Sequence, residues 1–325
     1  MQKLLYTILL CVLGIGMAVP AFALTVSPAR VEITGDPGTT IHGEIELFNE
    51  QEKTKTFFTS FENFEPKGET GAPHFIGANE GLATWIQSDS QVVLEPGQRL
   101  TVPFSIAIPE DAEPGGHFSA IFFGSQSPTA QGGGEVTIGG KLGILVLLRV
   151  SGEVAEGGGL LEFSTYEKQR FFTVLPVTFI YRINNTGGDR VVPHGELKIK
   201  NTFRLTTEKL MANEKEGSVL PGSTRRFEVS WGEQSSLPGA NEQTGFFNMA
   251  LKQWREFHFG WYTAYLDLVW GDDMSQTAGA AYNFFIFPWQ LLSIIAFIVL
   301  VLGFIGKIGL KKYNRYIIAQ AQRKR

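Results

Sequence analysis

Residues 94–123 read LEPGQRLTVPFSIAIPEDAEPGGHFSAIFF, and the order of features within this stretch decides the fold. Pro96-Gly97 sets a tight turn, because proline fixes φ near about -65° and glycine tolerates the conformation that must follow. Leu100, Val102, Phe104 and Ile106 then alternate with Thr101, Pro103 and Ser105, the period-2 pattern of a strand with one buried face. A further glycine-led run, 116–124, delivers aromatic residues to a core. Upstream, Ile41, Gly43, Ile45 and Leu47 alternate with His42, Glu44 and Glu46 in the same way. Downstream, 142–150 is an apolar run broken only by Gly143 and Arg149, too short to cross a membrane and suited to a central strand.

The same order recurs further along. Phe48-Asn49, the Pro-Gly turn, an alternating strand and an aromatic strand make a first copy. Ile183-Asn184-Asn185, Leu220-Pro221-Gly222, the strand 226–231 and the strand 260–266 make a second. Short alternating runs separated by Gly, Pro and Asn are the pattern of antiparallel sandwiches. The chain is therefore expected to be all-β: two tandem immunoglobulin-like β-sandwiches, 24–155 and 156–283, dividing at the acidic, Gly-rich stretch 153–159. The Gly-rich piece 131–140 is expected to be a hairpin loop of the first copy.

The second copy carries an insertion, 233–258. Within it Phe247, Ala250, Leu251, Trp254 and Phe257 fall on one helical stripe, with Lys252 and Arg255 off it, which predicts a short amphipathic helix. A helix capping its own sandwich is the plainer case; docking on a partner or on a lipid leaflet is the other.

Both ends of the chain point to export and anchoring. Residues 1–23 have the form of a signal peptide: Lys3, an apolar stretch, and Ala21-Phe22-Ala23 before a cut near Leu24. Residues 284–306 hold 23 consecutive uncharged positions. As a helix these reach about 34 Å, against a hydrocarbon core of about 30 Å, which predicts a transmembrane helix. Lys307, Lys311, Lys312, Arg315, Arg323, Lys324 and Arg325 follow with no acid among them. By the positive-inside rule 307–325 is a cytoplasmic tail and 24–283 lies outside a single-pass membrane anchor. Tyr313 to Ile318 is expected to continue as a short helix along anionic headgroups.

Charge and cysteine content narrow the function. The chain has 28 Lys and Arg against 32 Asp and Glu, and every acid lies between Glu32 and Asp273. Setting aside Lys3 and the seven basic residues of the tail leaves 20 basic against 32 acidic, a body that repels phosphate backbones and predicts no nucleic-acid partner. Cys11 is the sole cysteine and lies in the leader, so a processed chain has no disulfide, no Cys-ligated metal and no Cys nucleophile. An exported chain without cysteine suggests a bacterial surface or periplasmic protein.

The opening 25–30 (TVSPAR), the stretch 81–86 (GLATWI) and above all 94–123 resemble the bacterial WxL-interacting surface proteins, and the order of signal peptide, two sandwiches, membrane helix and basic tail matches too. The resemblance is best over 24–155 and implies a peptidoglycan-binding first domain. Its motifs are shared with pilus-chaperone-like sandwiches. Trp289-Gln290-Leu291 repeats the string carried by that family's partners, but at a membrane edge it is an interfacial anchor.

No catalytic apparatus is visible. His42, His74, His117, His194 and His258 are scattered without metal spacing, no nucleotide-binding or nucleophile-elbow motif occurs, and Glu110-Asp111 and Asp272-Asp273 fall at turns. Asn184-Asn185-Thr186 matches a glycosylation triplet that matters only in a eukaryotic host. The chain is expected to be no enzyme and to need no cofactor or metal. Two aromatic groups are expected to be exposed: Phe57, Phe58, Phe61 and Phe64, and a second set around Trp254, Phe257, Phe259, Trp261 and Tyr262. Because Trp and Tyr face partners more often than Phe does, Trp254, Trp261 and Tyr262 are the partner-binding candidates. The expected function is a membrane-anchored surface protein that binds peptidoglycan or another surface protein; the alternative is a membrane-tethered chaperone for surface subunits.

Overall fold

The computed structural model describes residues 24–126, 140–232, 245–271 and 274–323. The expected leader, the loop 131–139, the first part of the insertion and the pair Asp272-Asp273 lie outside the described residues. The chain divides into two compact units, one holding residues 1–67 and 72–155, the other 68–71 and 156–325.

In the first unit β1 (Leu24–Ser27), β3 (Thr40–Asn49), β8 (Arg99–Ala107) and β6 (Ile86–Ser88) form one sheet in the order β1-β3-β8-β6. The facing sheet has the order β2-β10-β9-β4-β5, from β2 (Arg30–Gly35), β10 (Lys141–Val150), β9 (Gly115–Gly124), β4 (Lys55–Lys67) and β5 (Ala72–Gly77), with β7 (Gln91–Leu94) also on β4. The chain switches sheets between β1, antiparallel to β3, and β2, parallel to β10. A four-residue helix, α1 (Leu82–Trp85), precedes β6.

The alternation seen in sequence becomes the core. Ile45 and Leu47 of β3 and Val102, Phe104 and Ile106 of β8 are all buried, against Ile121, Phe123, Ile144, Val146 and Leu148 from the other sheet. Burying one apolar face of each sheet removes that area from water at about 25 cal/mol per Å², which is what fixes the strand registers. Gly43 sits opposite Phe104 in the ladder, and a β-carbon there would overlap the Phe104 ring. The apolar run 142–150 is the central strand β10, between β2 and β9.

In the second unit one sheet is β11-β13-β16, from β11 (Gly158–Thr165), β13 (Val177–Asn185) and β16 (Ser223–Trp231). The other is β12-β18-β17-β14-β15, from β12 (Phe171–Phe172), β18 (Gln276–Ile286), β17 (Gly260–Trp270), β14 (His194–Asn201) and β15 (Thr206–Met211). Its core is strongly aromatic: Tyr181 stacks on Phe227 at 4.9 Å between centroids, and Phe284 packs on Phe179, Trp231 and Tyr262. The inserted helix is α2 (Phe246–Arg255), and α3 (Trp289–Arg323) closes the chain. The architecture is two immunoglobulin-like sandwiches followed by one apolar helix.

Two boundaries differ from expectation. The apolar run starting at 284 begins as strand: Phe284 is fully buried, Ile286 is nearly so, and the helix starts only after Pro288. Proline lacks the N–H that would extend the ladder, yet it suits the first turn of a helix. The helix then continues without a break past Tyr313, so the tail forms no separate helix. Residues Trp289–Tyr316 have a mean hydropathy of 2.7 in their most apolar window and are long enough to cross a membrane.

Candidate functional site

A cleft of about 780 Å³ opens on the first unit, between α1, the turn at Asp111–Glu113 and the start of β9. Local sequence builds it. Leu82 and Ala83 plug α1 into the core, and Gly81 takes φ +65°, a conformation glycine reaches without strain. Asn63 of β4 fastens the segment from both sides: its Nδ2 donates to the Glu80 carbonyl at 2.5 Å, and its Oδ1 accepts the Ala83 N–H at 2.9 Å. With α1 held there, the Trp85 ring meets the His117 ring, centroids 4.8 Å apart and tilted by 50°. His117 Nε2 lies 2.8 Å from the Glu113 carbonyl oxygen, which can only accept, so this nitrogen carries the proton and the ring is oriented. Ile76, Glu80, Asp111, Glu113 and Phe118 also line the cleft. An aromatic platform beside carboxylates and an amide suits a ligand with apolar ring faces and hydroxyl or amine groups at its edges, as sugars have.

Sequence reasoning did not identify this site. Trp85 and His117 stand 32 positions apart, and only the placement of α1 against β9 joins them. The conjunction of a Gly-led, one-turn helix ending in Trp was the available signal. Among the described residues no three His, Cys, Asp or Glu side chains gather as a metal site.

The three sequence candidates separate. Trp254 on α2 and Trp261 on β17 are 65% and 53% exposed. Tyr262 is not a surface residue: it is 6% exposed and packs between Trp231, at 5.3 Å, and Phe284, at 5.7 Å. Burial raises its phenol above the ordinary tyrosine range, opposed by a backbone hydrogen bond at Phe259. Nor are the phenylalanines of the first unit an exposed group: Phe57 is buried in the core and Phe61 packs on it, Phe64 is buried against Phe75 and Phe118, and Phe58 is partly buried. Only part of the α2 stripe is covered. Ala250 and Gln253 are buried, whereas Phe247, Leu251 and Trp254 are exposed, and Phe257 lies beyond the helix end.

The sheet edge at β15 is the second surface of note. Phe203, Leu205 and Met211 at its ends are 82%, 64% and 67% exposed. Phe203 and Leu205 precede the strand and Met211 ends it, so the apolar groups flank an edge whose unpaired backbone is open to pairing with another chain.

No family model and no curated relative matches the chain. Among solved structures it is similar to the class 5 fimbriae chaperone CfaA, at 10% identity and TM-score 0.36, over 81% of this chain and 99% of that one. The Pseudomonas aeruginosa CupB2 chaperone is similar at 9% identity and TM-score 0.35, over 80% and 100%. The E. coli chaperone DraB is similar at 9% identity and TM-score 0.34, over 82% and 97%. At this identity and overlap the likeness carries no inference about ligands.

Proposed function

We propose that this is a non-enzymatic, membrane-anchored bacterial surface protein, with 24–283 outside the membrane and 307–325 inside, whose first sandwich binds the glycan of peptidoglycan. The observation that carries this is the Trp85–His117 platform with Glu80, Asp111 and Glu113 around it. Ring stacking would hold the apolar face of a sugar, and carboxylates would accept its hydroxyls or pair with amines of the attached peptides. The resemblance of 24–155 to the WxL-interacting proteins implies the same ligand. The anchor reading is supported by the apolar helix and the basic residues that follow it. The test is retention of soluble 24–283 on purified sacculi. Saturable retention that falls at least tenfold in Trp85→Ala is expected; retention unchanged by that substitution would remove the cleft from the function.

A second reading rests on β15. A membrane-tethered chaperone for surface subunits would take client strands on that edge, with Leu205 and Met211 against the client. Suppression of subunit aggregation, lost in Leu205→Asp, with no retention on sacculi, would establish this reading over the first.

A further inference from the structure

We infer that the second unit is seated on the bilayer surface, with the exposed stripe of α2 and the aromatic outer face of β17 and β18 inserted among lipid headgroups; this rests on the reading of α3 as a membrane span.

The position of α2 is fixed by its bonds to the start of α3. Gln253 is 1% exposed, its Oε1 accepts the Leu291 N–H at 3.0 Å, and its Nε2 donates to Gln290 Oε1 at 2.5 Å and to the Thr173 carbonyl at 3.2 Å. The Phe246 ring meets Trp289 edge-on at 5.7 Å. A helix held by the first turn of a span lies where the chain enters the lipid. Around α2 the faces are distinct. Ala250 and Gln253 point inward, and Phe247, Leu251 and Trp254 form an exposed apolar stripe at i, i+4 and i+7. Asn248, Lys252 and Arg255 form the third, polar face. That division, with cations beside an aromatic stripe, is the composition of helices that lie in a membrane interface.

The sheet offers a matching surface on the same route into the membrane. Trp261 pairs across the ladder with Phe285, centroids 5.0 Å apart, and Phe171 and Phe259 close on the same ring. Phe287 extends this cluster directly to Pro288 and α3. Phe171, Phe259, Trp261 and Phe287 are each about half exposed or more. Two apolar surfaces that both adjoin the first turn of the span fit one occupant, the bilayer, and a partner protein would have to occupy the lipid entry to cover them.

The test uses the full chain with Cys11→Ser, in vesicles of phosphatidylcholine and phosphatidylglycerol, carrying single spin-labelled cysteines. Phe247→Cys, Trp254→Cys, Asn248→Cys and Leu300→Cys are compared for collision with oxygen, which enters lipid, and with a nickel chelate, which does not. Leu251→Cys reports on the same stripe should either of the first two disturb folding. Oxygen-favoured labels at 300, 247 and 254, with a nickel-favoured label at 248, are expected. An oxygen-favoured label at 300 with nickel-favoured labels along the stripe would overturn the seating while leaving the span. A nickel-favoured label at 300 would overturn the span and the seating with it.

Discussion

Asn49 Nδ2 donates to the Leu94 carbonyl at 3.1 Å, tying the end of β3 to the last residue of β7, just before the Pro96-Gly97 turn. The same amide reaches Glu95 O and Lys53 O, while its Oδ1 accepts the Gln51 N–H. Asn185, at the end of β13, repeats the arrangement: Nδ2 donates to Val219 O and Asp189 O, and Oδ1 accepts the Gly187 N–H. The turns they hold also correspond. Gln98 N–H closes on Glu95 O and Ser223 N–H on Leu220 O, with Gly97 and Gly222 at φ +69° and +65°. The repeat in the sequence is thus a repeated staple, an asparagine whose amide ties the end of a strand to the carbonyls at and just before a tight turn.

Removing either amide takes a donor from the carbonyls it holds, Leu94 O, Glu95 O and Lys53 O or Val219 O and Asp189 O, of which Glu95 O keeps the Gln98 N–H and Val219 O keeps the Val191 N–H. Asn49→Ala and Asn185→Ala are each expected to destabilise their own unit by about 1–2 kcal/mol, the net loss of the side-chain hydrogen bonds. Asn49→Asp is expected to cost more than Asn49→Ala, because an acceptor-only carboxylate would face three carbonyl oxygens. Denaturant titration followed by unit-specific hydrogen exchange checks both. Equal stability of the Asp and Ala variants would show that the amide does not hold the turn.

Tyr181 gives the second unit a limit at alkaline pH. Its hydroxyl donates to Ala212 O at 2.9 Å, and burial, only partly offset by the charge of Arg225, raises the phenol well above its ordinary value. The folded pKa exceeds the unfolded value of about 10, so stability is full below about pH 10 and is lost as pH climbs from there towards the folded pKa. Tyr181→Phe keeps the stack on Phe227 but loses the hydrogen bond, costing about 1–3 kcal/mol at neutral pH. The variant should also lose less stability between pH 10 and 11 than the parent, with Tyr262 and the ion-paired Lys198 contributing to the slope that remains. Parallel slopes for parent and variant would refute this.

Alternation made the strands legible, because a sheet with one buried face imposes period 2 on 41–47 and 100–106 whatever else the residues do. Placing the aromatics was harder, since residue type does not say which side of a strand a ring takes. Parity does. Trp261 shares its side of β17 with Asp267, whereas Tyr262 shares its side with Ala264, Leu266 and Leu268, the buried row. The start of the span was obscured by the absence of any polar break between an inner strand and a membrane helix; Pro288 was the sole marker. The Trp85–His117 cleft was out of reach because it depends on where α1 lands on β9, which no local pattern encodes.

That parity predicts opposite outcomes for adjacent residues. Tyr262→Ala opens a cavity among Trp231, Phe284 and His258 and is expected to cost about 3–5 kcal/mol. Trp261→Ala removes a half-exposed ring from the outer face and is expected to cost about 1 kcal/mol in detergent. Thermal unfolding of both variants against the parent checks the pair, and comparable losses would mean that β17 presents the other face.

Gln253 joins the inserted helix to the start of α3, and its removal should separate the two. In Gln253→Leu the Thr173 carbonyl, part-buried, loses its donor, and the Leu291 N–H returns to the set of first-turn donors that a helix leaves unpaired. The expected cost is about 2 kcal/mol, confined to α2 and the first turn of α3 while the sandwich core stays intact. Hydrogen exchange should therefore accelerate at Leu291 and across α2, with β13 and β17 unchanged. Gln253→Glu keeps the acceptor for Leu291 but loses the donor to Thr173 and Gln290, so it should restore protection at Leu291 alone. Uniform acceleration through the core strands would instead make Gln253 a support for the whole unit rather than the joint between the two helices.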